Sequence, residues 1–121
     1  MNAPVALFVY NRPRHTRRTL MSLAACPEAK ETEPYIFCDG LKEDATQQDI
    51  TNAAEVQKIA REKNWCRHVE VISSPVNKGL SKSIIGGVTD LVNRSGKIIV
   101  LEDDMEVSPH FLKYMNDGLE F

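Results

Sequence analysis

The sequence has few cysteines, and their spacing matches neither a disulfide framework nor a zinc site. There are three cysteines, Cys26, Cys38 and Cys66, with no CxxC pair and no matching histidine spacing. An odd count of this kind indicates reduced thiols rather than a disulfide framework or a zinc site. No apolar run is long enough to cross a bilayer, and the first apolar run precedes the basic residues, the reverse of a signal peptide. We therefore expect a cytoplasmic protein without a transmembrane segment.

The sequence also lacks an excess of one charge and the common phosphate-binding loops. Its 15 basic and 17 acidic residues give a net charge of -2, so no bulk attraction to nucleic acid is expected. No GxxxxGK[ST] motif occurs, and no GxGxxG follows the first apolar run, which excludes a P-loop enzyme and disfavours a nicotinamide dinucleotide fold. The three histidines are scattered and are not expected to bind metal.

The 121 residues suffice for one domain, and four apolar runs alternate with four helical patterns. The runs predict strands over Val5–Tyr10, Pro34–Asp39, His68–Ser74 and Ile98–Leu101. The periodic segments predict helices over Arg14–Ala25, Gln48–Asn64, Leu80–Asn93 and from Ser108-Pro109 onward. This alternation predicts an α/β domain, Rossmann-like, with a mostly parallel sheet and helices on both faces. The fourth strand is expected to be buried on both faces. The chain ends inside the last helical pattern, so we expect residues 1–121 to be the N-terminal part of a longer protein.

Ligands of such sheets bind beyond the carboxyl ends of the strands. The residues that follow the four predicted strands are all polar or turn-forming, and they are expected to lie along one edge of the sheet. They are Asn11-Arg12, Asp39-Gly40, the stretch 73–79, and Glu102-Asp103-Asp104.

Three adjacent carboxylates repel one another unless water or a cation surrounds them. Glu102, Asp103 and Asp104 come directly after the last apolar run. Mg²⁺ and Mn²⁺ take one or two carboxylates while retaining water and substrate phosphates, so this cluster could supply half of a cation site. The alternative is a solvated acidic loop before the next helix.

Four arginines crowd the turn after the first strand and the helix that follows it. Arg12 lies in the turn, where an anion could approach it, whereas Arg14, Arg17 and Arg18 are better explained as a solvated helix face. Asp39 could bond a ribose hydroxyl or a base N–H, or could form an Asx turn.

The stretch Ser73-Ser74-Pro75-Val76-Asn77-Lys78-Gly79 runs into the third helix. Its polar groups, with Ser81 and Lys82 beyond them, could face a phosphate or sugar. A capped helix start would explain the same residues.

Four segments, "ALFVYNRP", "YIFCDG", "NKGLSKSI" and "IIVLEDDMEVSPHFLKYM", resemble in order and spacing the N-terminal half of glycosyltransferases with the type A fold. The likeness is to bacterial family-2-like sugar transferases and to the N-acetylglucosaminyltransferase I group, and it covers essentially the whole chain. The resemblance implies a nucleotide-diphospho-sugar transferase fold that binds a nucleotide diphosphate sugar, with a UDP-sugar as the expected donor.

The resemblance also implies roles for individual residues. Arg12 would contact the nucleotide or its phosphates, with Tyr10 and Asn11 on the same wall, and Asp39 would bind the uracil or ribose. The remaining implied contacts are Asn77 and Gly79 at the border of the donor pocket, Glu102 on the sugar or ribose, Asp103 orienting the metal shell, and Asp104 coordinating Mn²⁺ or Mg²⁺.

The implied reaction transfers the sugar to a hydroxyl of a saccharide or lipid-linked acceptor, which would allow peripheral association with the inner face of the membrane. The catalytic base is expected outside these residues. One departure concerns the family pattern N-x-G-x-x-x-A-x-N-x-G, in which Ser83 replaces the alanine and Ile85 the second asparagine. Two alternatives remain: a non-catalytic nucleotide-binding or interaction module of the same fold, and a sugar nucleotidyltransferase, whose glycine-rich loop this chain lacks.

Overall fold

The structure is a computed structural model that describes residues 2–119. The strands are β1 (Val5–Val9), β2 (Pro34–Cys38), β3 (Glu70–Ser73) and β4 (Ile99–Glu102). The α-helices are α1 (Pro13–Ala24), α2 (Gln47–Arg61), α3 (Leu80–Ser95) and α4 (Phe111–Leu119). A short 3₁₀ helix, Pro27–Glu31, lies between α1 and β2.

The four strands form one parallel sheet in the order β3-β2-β1-β4. The chain moves outward from β1 to β3 and then crosses back to β4 on the other side of β1. Because parallel crossovers are right-handed, this reversal places α3 on the opposite face from α1 and α2. The predicted α/β fold, with a parallel sheet and helices on both faces, is confirmed.

The larger core lies between the sheet and the layer formed by α1, α2 and α4. Val5, Leu7 and Val9 of β1 point into it, and their partners come from all three helices. Those partners include Leu20, Leu23, Val56, Ile59, Ala60 and Leu112. Burial of this many aliphatic side chains is the main stabilising term of the fold.

The opposite face has a smaller core, in which α3 packs over an aromatic pair. The rings of Phe8 and Phe37 stack with centroids 4.9 Å apart. A Cβ atom on Gly87 of α3 would lie 3.0 Å from both rings, so glycine at this position lets the helix approach the sheet closely. Leu91, one turn further along, completes the contact.

The prediction that the fourth strand is buried on both faces was wrong. β4 lies at the margin of the sheet and pairs only with β1 within residues 2–119. Ile99 and Leu101 point into the larger core, but Val100 points to the α3 side and is 37% exposed. The reason is positional: α3 packs over β1 and β2 and does not reach far enough to cover β4.

The apolar face predicted for the third helix is only partly buried. Leu91 is buried, and Ile84 and Val88 are half-buried, whereas the other three predicted positions, Leu80, Ile85 and Val92, are exposed.

Element boundaries differ from the predicted ones by a few residues. The third strand is confined to Glu70–Ser73 at the other margin of the sheet, and α2 ends at Arg61. The last helix begins at Phe111, because Ser108 and Pro109 form a turn in which the Phe111 N–H donates to the Ser108 carbonyl. No helix among residues 2–119 has the length and hydrophobicity needed to cross a membrane.

Candidate functional site

A cavity of about 210 Å³ lies at the carboxyl edge of the sheet. It opens between the ends of β1 and β4, where the strand order reverses, which is the usual ligand position in open α/β sheets. Its lining includes every residue expected from the sequence to contact a donor: Tyr10, Asn11, Arg12, Asp39, Asn77, Gly79, Glu102 and Asp103.

The wall after β1 is tied to the loop between β2 and α2. Asn11 Nδ2 donates to Asp49 Oδ1 over 3.1 Å, and the Tyr10 phenol oxygen accepts from the Lys42 N–H over 3.0 Å. Asp49 is itself fixed by a capping box with Thr46 at the start of α2. Hydrogen bonds from Thr46 hold the pKa of the Asp49 carboxyl below its ordinary value. This wall is therefore ordered by contacts made within the protein.

The three consecutive acids occupy a tight turn that separates their side chains. The Met105 N–H donates to the Glu102 carbonyl over 3.2 Å, which closes the turn. Glu102 lines the cavity, Asp103 is buried at 5% exposure, and Asp104 is exposed. The carboxylates are thus placed in different surroundings, which reduces their mutual repulsion.

Asp103 forms an ion pair with Arg12 across the mouth of the cavity. Arg12 Nη2 lies 2.5 Å from Asp103 Oδ1, and the Thr19 hydroxyl donates to the Asp103 carbonyl over 3.0 Å. Burial raises the pKa of the Asp103 carboxyl, and Arg12 opposes that rise. The pair joins the turn after β1 to the turn after β4, and it fixes the guanidinium at the cavity.

Asp39 lies at the end of β2, facing the loop that leads into α3. Its carboxylate accepts three backbone N–H bonds and one side-chain amide bond, all from Gly40 and residues 77–79. Gly79 has φ 80°, a left-handed value that favours glycine, and it directly precedes the first residue of α3. Asn77 and Gly79 form a wall of the cavity that Tyr10 and Arg12 also line.

Besides Phe8 and Val9 at the end of β1, three residues of the cavity lining were not assigned to the site from the sequence. Leu80 had been placed on the buried face of α3 but is 53% exposed and lines the cavity. Ser83 lies one turn further along the same helix. Lys42 belongs to the polar loop after β2, and its position three residues beyond Asp39 was the only available signal.

A larger groove, about 630 Å³, lies between α1 and α2, away from the strand ends. Its lining includes Arg14, Arg17 and Arg18, together with Glu55 and Glu106. Arg17 forms a bidentate ion pair with Glu62, with N–O distances of 2.6 and 2.8 Å. Arg14 and Arg18 are exposed, as expected of a solvated helix face, whereas Arg17 is half-buried and joins α1 to the end of α2.

The acidic turn forms no complete cation site within the described part of the chain. Among residues 2–119 no cluster of three or more His, Cys, Asp or Glu side chains is placed to hold a metal ion. Asp104 faces a small hollow beside His15 and Arg18, adjacent to the cavity through Asp103. Carboxylate oxygens are nevertheless what Mg²⁺ and Mn²⁺ prefer, and such ions commonly complete their shell with water and phosphate.

The fold is similar to that of S. aureus TarS. Against one crystal structure of TarS the TM-score is 0.68 at 16% identity, covering 99% of this chain and 20% of the other. Against a structure of TarS residues 1–349 the values are 0.62 and 19%, covering 99% and 32%. No family model and no curated protein sequence matches the chain. At these identities the likeness shows the fold alone, an α/β fold like that of TarS, and the chain spans a third or less of the length of these TarS chains.

Proposed function

We propose that this chain is the donor-binding domain of a glycosyltransferase, which binds a nucleotide diphosphate sugar for transfer to an acceptor hydroxyl. The observation that carries the proposal is the cavity at the reversal of strand order, in a fold like that of TarS. A UDP-sugar is the first donor to test. The acceptor is proposed to be a saccharide or a lipid-linked molecule. The groups that bind it, and the catalytic base that takes its proton, are proposed to lie outside residues 1–121.

The lining of the cavity matches the parts of such a donor. Arg12 and Lys42 supply positive charge for a diphosphate, and the Arg12 guanidinium is already oriented by Asp103. The ring of Tyr10 offers a surface for a base, while Asn11, Asn77 and Ser83 offer hydrogen-bonding groups for ribose or sugar hydroxyls. The Glu102 carboxylate, which lines the cavity, would accept from a hydroxyl of the sugar or ribose.

Mn²⁺ or Mg²⁺ is part of the proposal. Asp104 would hold it, with Asp103 fixing the geometry of the turn through its bond to Arg12. A bound cation would offset the negative charge that develops on the diphosphate as the glycosidic bond breaks. Arg12 and Lys42, which line the cavity, would contribute to the same charge balance.

The proposal is tested by calorimetric titration of UDP and UDP-sugars into the chain, with and without Mn²⁺. Binding is expected to strengthen with Mn²⁺ in the wild type and to lose that dependence in Asp104→Asn. Asp117→Asn, which removes an exposed carboxylate of α4 that pairs with Lys113 and lies outside the cavity lining, is the matched control and should leave binding unchanged.

Failure of the folded chain to bind any nucleotide diphosphate, with or without metal, would refute the donor-binding proposal. Metal-dependent donor binding without sugar transfer by the full-length protein would instead support the non-catalytic module. Release of pyrophosphate from a nucleoside triphosphate and a sugar 1-phosphate would identify a nucleotidyltransferase.

A further inference from the structure

The carboxylate of Asp39 has its hydrogen-bonding capacity filled by the protein. Oδ1 accepts from the N–H groups of Gly40 at 2.8 Å and Lys78 at 2.9 Å. Oδ2 accepts from the N–H of Gly79 at 3.0 Å and from Asn77 Nδ2 at 3.2 Å. A carboxylate offers about four lone-pair sites, so these four bonds leave no acceptor site to spare for a ligand.

Other contacts join the same two segments. Asn77 Nδ2 also donates to the Gly40 carbonyl over 2.8 Å, and within the loop itself the Ser74 hydroxyl donates to the Val76 carbonyl over 2.7 Å. A Cβ atom on Gly40 would lie 2.4 Å from the Val76 carbonyl carbon, so the two backbones are in direct contact there. The end of β2 and the loop before α3 therefore form one packed unit with the Asp39 carboxylate at its centre.

This unit sets one wall of the cavity. The loop supplies Asn77 and Gly79 to the lining, and the first turn of α3 adds Leu80 and Ser83. α3 has no side-chain cap at its N-terminus, since the residue before it is Gly79. The N–H of Gly79, the residue directly before α3, donates instead to the Asp39 carboxylate.

We propose that Asp39 is a positioning residue. It holds the Asn77–Gly79 wall in place and affects nucleotide binding through that wall, with no hydrogen bond of its own to the base. This gives Asp39 a different role from the direct contact implied by the family resemblance. The expected effect of Asp39 on nucleotide binding rests on the proposed donor-binding function.

The two roles differ in how the affinity loss depends on the base. A direct bond from Asp39 to a base N–H would make Asp39→Asn weaken binding of the matching nucleotide and spare the others. A displaced wall would weaken all nucleoside diphosphates by a similar factor.

The first arm of the test needs no ligand. Amide hydrogen exchange is measured on the wild type and on Asp39→Asn, whose side chain keeps its shape but replaces one acceptor oxygen with a donor. Exchange at Lys78 and Gly79 is expected to accelerate by roughly tenfold or more, the equivalent of one lost bond to a charged acceptor. The amides of β1 serve as the internal control and should keep their protection.

The second arm measures the affinity of UDP, CDP, ADP and GDP for both proteins, at a temperature where both are fully folded. The expected result is a common loss of roughly tenfold, which a purely structural role would not produce in folded molecules. Unchanged exchange at Lys78 and Gly79, or an affinity loss confined to one base, would overturn the proposal.

Two further outcomes are decided by the first arm. If the wild type binds no nucleotide, the donor-binding function fails, and the exchange rates alone show whether Asp39 holds the loop. If Asp39→Asn does not fold, Asn77→Ala replaces it; this variant removes the bonds to Asp39 Oδ2 and the Gly40 carbonyl. Faster exchange at Lys78 and Gly79 in that variant supports the proposal, and unchanged exchange contradicts it.

Discussion

Replacement of Arg12 by methionine would remove the cation that faces the buried carboxylate of Asp103. A hydrogen bond to a charged group contributes about 1.5–3 kcal/mol, and breaking a fully buried pair costs about 3–5 kcal/mol. The Arg12 side chain is 48% exposed while that of Asp103 is 7% exposed, so water can partly replace the guanidinium. We therefore expect the free energy of unfolding to fall by about 2 kcal/mol at pH 7, which lowers the Tm by roughly 8 °C.

The loss should depend on pH in a defined direction. Burial raises the pKa of Asp103 above its ordinary value, and Arg12 is the main influence that lowers it. Without Arg12 the folded-state pKa rises further, so the folded state of the variant prefers the protonated carboxyl. A raised folded pKa stabilises the protein below the unfolded value and loses that contribution as pH rises through the folded value. The deficit of Arg12→Met should therefore shrink as pH falls from 7 toward about 4.

The assay is urea unfolding followed by the fluorescence of Trp65, which is 2% exposed in the folded chain. It is run at pH 7 and pH 4.5 on Arg12→Met and on Arg14→Met, the matched exposed arginine of α1. In an Asp103→Asn background the Arg12 substitution should cost less than about 0.5 kcal/mol, because no buried charge remains to be paired. An equal loss at both pH values, or an undiminished loss in that background, would refute the reasoning.

Three further substitutions or measurements test other parts of the structure. Gly40→Ala places a methyl group 2.4 Å from a Val76 backbone atom, and the required displacement should lower the free energy of unfolding by about 1–3 kcal/mol in urea titrations. Thr46→Ala removes the hydroxyl that accepts from the Asp49 N–H in the capping box, and the same assay should show a loss of about 1 kcal/mol. Burial raises the pKa of the Cys66 thiol to about 12, so its alkylation at pH 8 should be much slower in the folded chain than in urea; equal rates would contradict that burial.

The fold was predictable because its signals are local. Four apolar runs and four helical periods fixed the order of elements, and parallel topology then required the four strand ends to share an edge. The exposure of Val100 was not predictable in this way, since it depends on which strand lies at the margin of the sheet and on how far α3 extends over it. The 3₁₀ helix Pro27–Glu31 carried no periodic signal and was missed.

From the sequence we could predict which strand ends lie together at one edge of the sheet, but not how their side chains pair. Arg12 and Asp103 are 91 residues apart, and Asp39 is 38 to 40 residues from its partners in the loop before α3. Such contacts depend on tertiary geometry that no local pattern encodes. The roles assigned to these residues in donor and metal binding stay predictions.

The margin of the sheet at β4 has a consequence for any experiment on the isolated chain. Within residues 2–119 the outer backbone N–H and C=O groups of β4 have no neighbouring strand, and Val100 beside them is exposed. An uncovered strand of this kind is a template on which a second polypeptide can add a strand. The chain should therefore self-associate as its concentration rises, and Val100→Lys should suppress this while leaving the cavity at the strand ends intact. Sedimentation velocity over a range of concentrations would separate such association from ligand binding before any titration is interpreted.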